Sequence, residues 1–408
     1  MKVVMISGIP VFPAHEGNRA RILALSRAIR AQGHDLWLVL LPAGISRPND
    51  RAMHRAEFGT DRVIELPEDP AVLRFLRRLP MRLARKSRHV LNHPGRYYGG
   101  LDTLYQTHWT PQIAALHARI GFDAAVVEYV FHSKAFDAFP PKVRRVIDTH
   151  DAFTDRHKAY HAQGLVEYFH SMRAADEVRG FCRADAILAI QATEGATFAD
   201  QIGQRDDAPE VAVVSHFNDL SHPPVTDHSA CRALFLASRN PANKAAADWF
   251  VAHVLPLVLA RMPEFRLVLA GMICEVIPDH PAIVKLGQVR AVRDAFVQAP
   301  LMINPIATGT GINIKLLDAM AAGVPVVSTE FGLRGLPDGF ADFAQPVPDG
   351  DPAEFANALL ALLPDLPRRI RMGEAARGTA DRWNDAQDQA LRGALGERAD
   401  PIRQLATQ

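Results

Sequence analysis

A glycine-rich loop between a strand and a helix is the part of this sequence best suited to hold an anion. The stretch 301–336 predicts a strand ending at Asn304, a loop containing Gly309 and Gly311, and a helix ending at Gly323. Glycines let the backbone turn sharply, and the amides of a helix N-terminus bind phosphate. A nucleotide diphosphate fits such a site, although glycines chosen only for packing would give the same pattern.

The predicted helix after this loop carries two charged side chains, Lys315 and Asp318. Asp318 lies about two turns into the helix. A carboxylate at that point can accept hydrogen bonds from both hydroxyls of a ribose. The loop and the carboxylate together predict a nucleotide site.

The same stretch resembles the donor-site motif of family-4 retaining glycosyltransferases, which have the GT-B fold. Those enzymes carry a Glu, seven residues, a second Glu and then Ala-Met-Ala-x-Gly-x-Pro-Val-Val. Asp318 occupies the second acidic position here and is followed by Ala-Met-Ala-Ala-Gly-Val-Pro-Val-Val, whereas Thr310 occupies the first. A Gly-x-Gly-Ile-x-x-Lys variant of the loop is matched by Gly309, Gly311, Ile312 and Lys315. The resemblance implies a nucleotide-sugar donor, with an altered sugar contact at Thr310.

Two cations follow another predicted strand, at Arg239 and Lys244. In similar glycosyltransferases an Arg and a Lys at this place clamp the diphosphate, whose charge grows as the glycosidic bond breaks. The resemblance therefore implies a metal-independent enzyme without a cofactor, for which the nucleotide sugar is a substrate. On the residues alone, solvated charges in a loop are the alternative.

Polar residues also end two predicted strands in the first half of the chain. His150 resembles the family's His that faces the donor sugar, and Asp148 or Asp151 is expected to orient it. Glu128 ends the other strand and is a candidate for contact with the acceptor. Ligands of parallel sheets gather at the carboxyl ends of strands. A purely structural turn is the alternative for each.

The segment 8–21 resembles the family's N-terminal glycine loop, which lies against the donor phosphates and the acceptor. Gly17 is next to the predicted start of a helix, so the same anion-site argument applies. Asn18 and Arg19 are candidates for supporting contacts. A capped helix start without a ligand is the alternative.

These residues are spread over alternating strands and helices. The segment 2–41 reads as strand, helix, strand, which predicts a parallel sheet. The second half repeats the alternation. We predict an α/β GT-B fold, in which two Rossmann-like, doubly wound domains face a central cleft. The predicted domains cover 1–212 and 213–385, and a C-terminal helix and tail, 386–408, cross back to the first domain.

Apolar spacing predicts three further helices, at 166–183, 245–262 and 367–383. The residues after 383 are polar and Ala-rich, and a helix with a frayed end is expected there.

The composition excludes several classes of protein. The 408 residues are 48% hydrophobic and 22% charged, with a net charge of +1, which is typical of a soluble globular protein and gives no sign of a nucleic-acid partner. The 3 cysteines are widely spaced and form neither a disulfide framework nor a metal motif. Pro10 and Pro13 interrupt the apolar N-terminus too early for a signal peptide. We expect a cytoplasmic protein.

Arginines interleaved with leucines cluster at 73–96. Such a basic amphipathic surface can bind anionic lipid or a lipid-linked phosphate. It predicts a glycan or lipid-linked acceptor and peripheral contact with the cytoplasmic membrane face. A solvated basic surface is the alternative.

The predicted activity is transfer of a sugar from a nucleotide-diphosphate sugar to such an acceptor, with retention of anomeric configuration. Two alternatives remain. One is a GT-B nucleotide-sugar epimerase. The other is a non-catalytic GT-B protein that binds a nucleotide sugar or a protein partner.

Overall fold

The chain divides into two compact units, each built on one parallel sheet. The first unit comprises the residues up to Ser215 and those from Gln387 onward, and the second comprises His216–Ala386. The computed structural model describes residues 1–14, 16–42, 50–68, 70, 87, 94–162, 171–225, 231–289, 291–308, 313–336 and 342–396.

The first unit contains a seven-stranded sheet in the order β3-β2-β1-β4-β5-β6-β7. Its strands are short apolar runs, as expected where helices cover both faces of a parallel sheet. Val3 and Ile6, for example, are fully buried. The strands are β1 (Lys2–Ser7), β2 (Asp35–Leu40), β3 (Val63–Glu65), β4 (Ala124–Glu128), β5 (Arg144–Asp148), β6 (Ala186–Ala189) and β7 (Glu210–Val213).

Helices connect these strands in the manner of a Rossmann-like domain. The first helix buries Ile22, Leu25 and Ile29, which share one face at helical spacing. The helices are α1 (Gly17–Ala31), α2 (Arg51–Phe58), α3 (Trp109–Ile120), α4 (Arg156–Ala162), α5 (Ala174–Phe181) and α6 (Ala192–Ile202).

The helix predicted over 166–183 begins at Ala174 instead. Ser171 and Met172, just before it, form isolated parallel bridges with two other segments. Their extended backbone cannot continue a helix. Residues 163–170 lie outside the described part of the chain.

The second unit contains a six-stranded parallel sheet in the order β10-β9-β8-β11-β12-β13. Alternate residues of a strand pack into separate apolar layers: Phe235 contributes to one, and Leu234 and Leu236 to the other. The strands are β8 (Arg232–Leu236), β9 (Arg266–Ala270), β10 (Ile283–Lys285), β11 (Met302–Asn304), β12 (Val326–Thr329) and β13 (Ala344–Val347).

The helix predicted over 245–262 is interrupted in the structure. Phe250–Val254 forms a π-type turn, and Pro256, which has no backbone N–H to donate, follows it. The helices of this unit are α7 (Pro241–Trp249), α8 (Leu255–Arg261), α9 (Val292–Phe296), α10 (Ile314–Ala322), α11 (Pro352–Leu362) and the first part of α12 (Leu366–Ala394).

The last helix, α12, is continuous over 29 residues and joins the helix predicted over 367–383 to the helix expected after residue 383. Its residues from Gln387 onward belong to the first unit. There the Gln387 Oε1 atom accepts a hydrogen bond from the backbone N–H of Ser215 at 2.6 Å. Polar residues of the tail therefore have partners that stabilise the helix. Within the described ranges, no helix combines the length and the apolar character needed to cross a bilayer.

Candidate functional site

Three titratable side chains meet at the carboxyl edge of the first unit's sheet. β4 and β5 are neighbours, and their register pairs Glu128 with Asp148. The Nε2 atom of His150 lies 2.6 Å from Glu128 Oε2 and 3.2 Å from Asp148 Oδ2. All three residues are buried. The sheet thus brings together His150, Asp148 and Glu128 at the edge where such folds bind ligands.

Arg21 of α1 balances the charge of Asp148. The Arg21 Nε atom lies 3.0 and 2.9 Å from the two carboxylate oxygens, and Nη2 donates to the same carboxylate and to the carbonyl of Val214. Burial alone would raise the pKa of Asp148, but the Arg21 charge holds it below its ordinary value. Burial, and then the charge of Asp148, raise the pKa of Glu128 well above its ordinary value. The charged form is therefore favoured at Asp148 and the protonated form at Glu128.

His150 is neutral in this environment. Burial lowers its pKa to about 4, although the neighbouring Asp148 charge opposes the shift. Because the neutral imidazole is favoured, its contact with Glu128 is a hydrogen bond rather than an ion pair. The Oε1 atom of Glu128 is buried and makes no hydrogen bond to any described residue, so this carboxyl has acceptor capacity left.

His150 and Tyr129 share an uncommon backbone conformation. Their φ angles are +61° and +66°, which costs a non-glycine residue of order ~1–3 kcal/mol and is concentrated at functional sites. The two rings stack with centroids 4.2 Å apart and planes 8° from parallel. Asn18 of α1 donates to the Tyr129 hydroxyl at 3.4 Å. The predicted residue Asn18 is thereby linked to His150 through one aromatic ring.

The predicted residues at the start of α1 hold the loop that precedes it. Gly17 is the first residue of the helix. Arg19 is buried, and its Nη1 atom donates to the carbonyl of Pro13 at 3.4 Å while its Nε atom lies 3.6 Å from a carboxylate oxygen of Glu16. Arg19 thus contacts the protein's own loop in this structure.

Only one of the two carboxylates predicted to orient His150 is in contact with it. That residue is Asp148. Asp151 instead faces Arg156 at 3.4 Å, and burial raises its pKa despite that cation. Glu128, predicted to meet the acceptor, has no exposed surface and contacts His150 from within the domain.

Glu177 of α5 supports the segment after His150 and was not predicted. Its carboxylate accepts hydrogen bonds from the backbone N–H groups of Phe153 at 2.8 Å and Thr154 at 2.7 Å, and from the Thr154 hydroxyl at 2.6 Å. These partners lie 23 and 24 positions away along the chain. No local pattern in the sequence indicates this role.

In the second unit, two asparagines tie together the ends of the predicted anion loop. Asn304 is the last residue of β11, and Asn313 is the N-cap of α10, where its side chain accepts the backbone N–H of Lys315 at 3.1 Å. The Asn313 Nδ2 atom donates to Asn304 Oδ1 at 2.7 Å. Asn304 in turn donates to Ser328 Oγ and to the carbonyl of Gly332, both at 3.0 Å.

The loop closed by these asparagines carries four predicted donor residues, which lie outside the described part of the chain: Gly309, Thr310, Gly311 and Ile312. On the helix that follows, Asp318 is half-buried. Burial raises its pKa to about 6; Asp219 adds to the shift and Lys315 opposes it.

The two predicted cations each have an acidic partner. Arg239 Nη1 lies 2.8 Å from Glu275 Oε2, with the side chains 60% and 51% exposed. Lys244 Nζ lies 2.5 Å from Asp248 Oδ2, also at the surface.

The ends of β8 and β9, next to Arg239, approach each other closely at Gly271. The φ angle of Gly271 is +92°, and a Cβ atom there would lie 2.4 Å from the Ala237 carbonyl oxygen. This close approach therefore requires glycine.

Comparison with known families decides what this second unit is. Residues 230–365 match the sequence profile of the family described as glycosyl transferases group 1. These residues form a glycosyl transferases group 1 domain. The domain contains Arg239, Lys244, the Asn304–Asn313 pair and Asp318. Gly17 and His150, which are also predicted to face the donor, lie in the first unit.

Solved structures that are similar to almost the whole chain extend the comparison to the fold. Sucrose-phosphate synthase from Thermosynechococcus elongatus has a TM-score of 0.63 at 16% identity, over 100% of this chain and 99% of that one. Anabaena HepE, solved with UDP and glucose, has a TM-score of 0.61 at 15% identity, over 98% and 100%. The predicted fold is confirmed: it is an α/β GT-B fold with two Rossmann-like domains and a C-terminal helix.

One curated relative is similar to part of the chain. An uncharacterized 44.6 kDa protein in the cps region of Klebsiella pneumoniae is 30% identical over 118 residues. The match covers 26% of this chain and 30% of that protein. The group 1 domain therefore remains the finding that bears most directly on activity.

Proposed function

We propose that this protein is a glycosyltransferase that moves a sugar from a nucleotide-diphosphate sugar to an acceptor with retention of anomeric configuration. The observation that carries the proposal is the group 1 domain over 230–365. The similar HepE structure holds UDP and glucose, which supports a donor of this class. The hydrogen bond between Asn313 and Asn304, which joins the two ends of the loop before α10, supports the same conclusion, because the N-terminus of a helix can bind phosphate.

On the donor side, Arg239 and Lys244 bind the diphosphate and Asp318 binds the ribose. The present partners of the two cations are exposed, and such pairs are worth about 0–1 kcal/mol. A diphosphate carries more charge than one carboxylate and can compete for both cations. Lys315 and the loop 309–312 add further phosphate contacts in this proposal.

In the first unit, His150 contacts the donor sugar. As a neutral imidazole it can donate or accept one hydrogen bond without carrying charge. At the start of α1, Gly17 contacts the donor in this proposal, and Asn18 and Arg19 add supporting contacts. Catalysis then rests on positioning and on stabilising the charge of the leaving group, with no covalent intermediate on the protein.

The reaction is proposed to need neither a metal ion nor a cofactor. Glu128, Asp148 and His150 place three potential ligand atoms within 4.8 Å of one another. However, Arg21 already contacts both oxygens of Asp148, and burial favours the protonated form of Glu128, whereas metal binding needs deprotonated ligands. Activity that is unchanged by a chelator and by added Mg²⁺ or Mn²⁺ would support this part of the proposal.

The acceptor is proposed to be a glycan or a lipid-linked intermediate in polysaccharide assembly, and no nucleic acid is involved. The protein would act in the cytoplasm, with peripheral contact to the membrane through the basic segment 73–96. Most of that segment lies outside the described residues. The argument for it is the clustering of arginines between leucines in the sequence.

A panel of nucleotide sugars tests the proposal. Thermal unfolding of the wild type and of Asp318→Ala is measured with each donor, since a ligand at 100 times its Kd stabilises by about 2.7 kcal/mol. A donor that stabilises only the wild type identifies the base and supports the site. Turnover of that donor only with an acceptor supports a transferase, and the anomeric configuration of the product tests retention.

The same panel distinguishes the two alternatives. A GT-B epimerase would release an epimer or free sugar without an acceptor. A non-catalytic protein would bind the donor tightly and leave it intact with every acceptor tried. Either result would contradict the proposed transferase.

A further inference from the structure

One buried histidine holds the loop that follows β1. The Nε2 atom of His54, on α2, lies 2.9 Å from the backbone nitrogen of Val11 and 3.2 Å from that of Phe12. Its Nδ1 atom lies 2.6 Å from the carbonyl oxygen of Asp50. His54 is 1% exposed. The imidazole therefore joins α2 to the loop 8–14, beside a backbone hydrogen bond from the N–H of Asp50 to the carbonyl of Phe12 at 3.3 Å.

These partners fix the protonation state of the ring. The carbonyl of Asp50 can only accept, so Nδ1 must carry the hydrogen. The backbone N–H groups of Val11 and Phe12 can only donate, so Nε2 must be unprotonated and act as the acceptor. One neutral tautomer satisfies all three contacts. A proton on Nε2 would face two other donors, and both hydrogen bonds to the loop would be lost.

Charged groups from three elements face His54: Arg19 on α1, Glu65 on β3 and Asp50 at the start of α2. Burial lowers the pKa of His54; the two carboxylates oppose the shift and Arg19 adds to it. With the loop in place the neutral ring is favoured, whereas in a released loop the solvated ring would titrate near its ordinary value of 6.5. The held loop is thus most favoured above that pH and becomes progressively less favoured as pH falls below it.

We infer that His54 is a positioning residue that holds the loop 8–14 while neutral and releases it when protonated. The loop leads directly into Gly17, Asn18 and Arg19. Its effect on a donor rests on the proposed function, in which these residues meet the nucleotide sugar. The effect of His54 on the loop rests only on the contacts of His54. The effect on the loop and the effect on the donor can therefore be tested separately.

Hydrogen exchange of the full chain tests whether neutral His54 holds the loop 8–14 in place. Exchange of the peptide covering 8–14 is measured at about pH 5.5 and about pH 7.5 and corrected for intrinsic rates. These values lie on either side of the ordinary pKa of His54, and the ratio of protonated to neutral imidazole changes about tenfold for each pH unit. In the wild type we expect roughly tenfold faster corrected exchange at the lower pH. In His54→Gln, the side-chain oxygen can accept the same bonds and does not titrate, so exchange should be slow at both.

Two further variants make the test specific. His54→Phe removes the acceptor and should give fast exchange at both pH values; if it fails to fold, the comparison with His54→Gln stands alone. His253 is exposed in the π-type turn, so His253→Gln should behave as the wild type. A wild-type loop whose corrected exchange is the same at both pH values, or a His54→Gln loop that keeps the pH dependence, would overturn the inference.

Donor affinity of the same variants separates this inference from the proposed function. We expect the wild type to lose more affinity than His54→Gln between the higher and the lower pH. A loop that opens in acid without any loss of donor affinity would support the role of His54 and contradict the placement of the donor against this loop.

Discussion

The Nε2 atom of His150 lies 2.6 Å from Oε2 of Glu128, in a contact between two buried side chains 22 positions apart. Burial lowers the pKa of His150 to about 4 and raises that of Glu128, so the uncharged form of each group is favoured. The His150 ring also stacks on Tyr129. Glu128 thus orients His150 from a site that disfavours a charge on either group.

Replacing Glu128 should separate orientation from charge. Glu128→Ala removes the shorter contact of the buried His150 Nε2 atom and leaves the longer one, to Asp148 at 3.2 Å, at a cost of about 1–3 kcal/mol. If His150 acts on the donor, kcat/KM should fall by roughly tenfold to a hundredfold, since about 1.4 kcal/mol is tenfold. Glu128→Gln mimics the neutral acid and should retain most activity. Equal losses in the two variants would contradict a neutral orienting group.

The Arg21–Asp148 pair should contribute strongly to folding. Removing one partner of a buried ion pair typically costs about 3–5 kcal/mol, so we expect Arg21→Ala to lower the free energy of unfolding by about that amount in urea titrations. Arg27 on the same helix pairs with Glu57 at 2.8 Å but is half-exposed. Arg27→Ala should cost less than about 1 kcal/mol. Similar losses for both variants would show that burial does not set the value of the Arg21 pair.

How well the sequence predicts a feature of this structure depends on how far apart along the chain the interacting residues lie. Strands such as β1 and β6 are built on continuous apolar runs, and α10 is marked by apolar spacing and by Gly323, whose φ of +68° ends it. These signals are local. They also place His150 and Asp148 at the correct edge, because the carboxyl ends of parallel strands coincide.

Contacts between distant residues are not marked in this way. Arg21 lies 127 positions from Asp148, and His54 lies 43 positions from Val11. Both are polar residues on amphipathic helices, and their spacing alone does not distinguish a buried partner from water. The absence of a break in α12 after Trp383 has the same explanation, since its later residues have partners in distant segments of the first unit.

The hydrogen bond between Asn313 and Asn304 should control donor affinity. Asn313→Ser keeps an oxygen that can cap α10 but loses the amide that donates to Asn304. Loss of one such bond is worth about 0.5–1.5 kcal/mol, so we expect the donor Kd to rise roughly threefold to tenfold by calorimetry. Asp351 caps α11 in the same unit. Asp351→Ser should leave the donor Kd unchanged, and an equal effect would point to lost stability instead.

The raised pKa of Asp318 predicts a pH dependence with a definite sign. The pKa in the folded protein is about 6, against an ordinary value of 3.8, so folding favours the protonated form. The free protein should lose this stabilisation as pH rises from about 4 to about 6. The donor needs the carboxylate, so its affinity should increase as pH rises through about 6.

Asp318→Asn provides the control for that dependence. It cannot ionise, so both the stability change and the affinity change in this window should disappear. Measuring the wild-type residue and Asp318→Asn in a His54→Gln background removes the pH dependence proposed for that histidine. A donor affinity with the same pH dependence in the double variant as in His54→Gln alone would mean that Asp318 does not bind the ribose.

The ion pairs of Arg239 and Lys244 predict opposite effects for the two members of each pair. If these cations bind the diphosphate, Arg239→Ala and Lys244→Ala should each raise the donor Kd, by roughly tenfold for a charge-assisted bond worth about 1.5–3 kcal/mol. Their partners compete with the donor, so Glu275→Gln and Asp248→Asn should lower the donor Kd or leave it unchanged. Lys285 pairs with Asp279 in the same unit, and Lys285→Ala should have no effect. If all three cation variants weaken binding equally, the effect reflects the net charge of the unit rather than a clamp on the diphosphate.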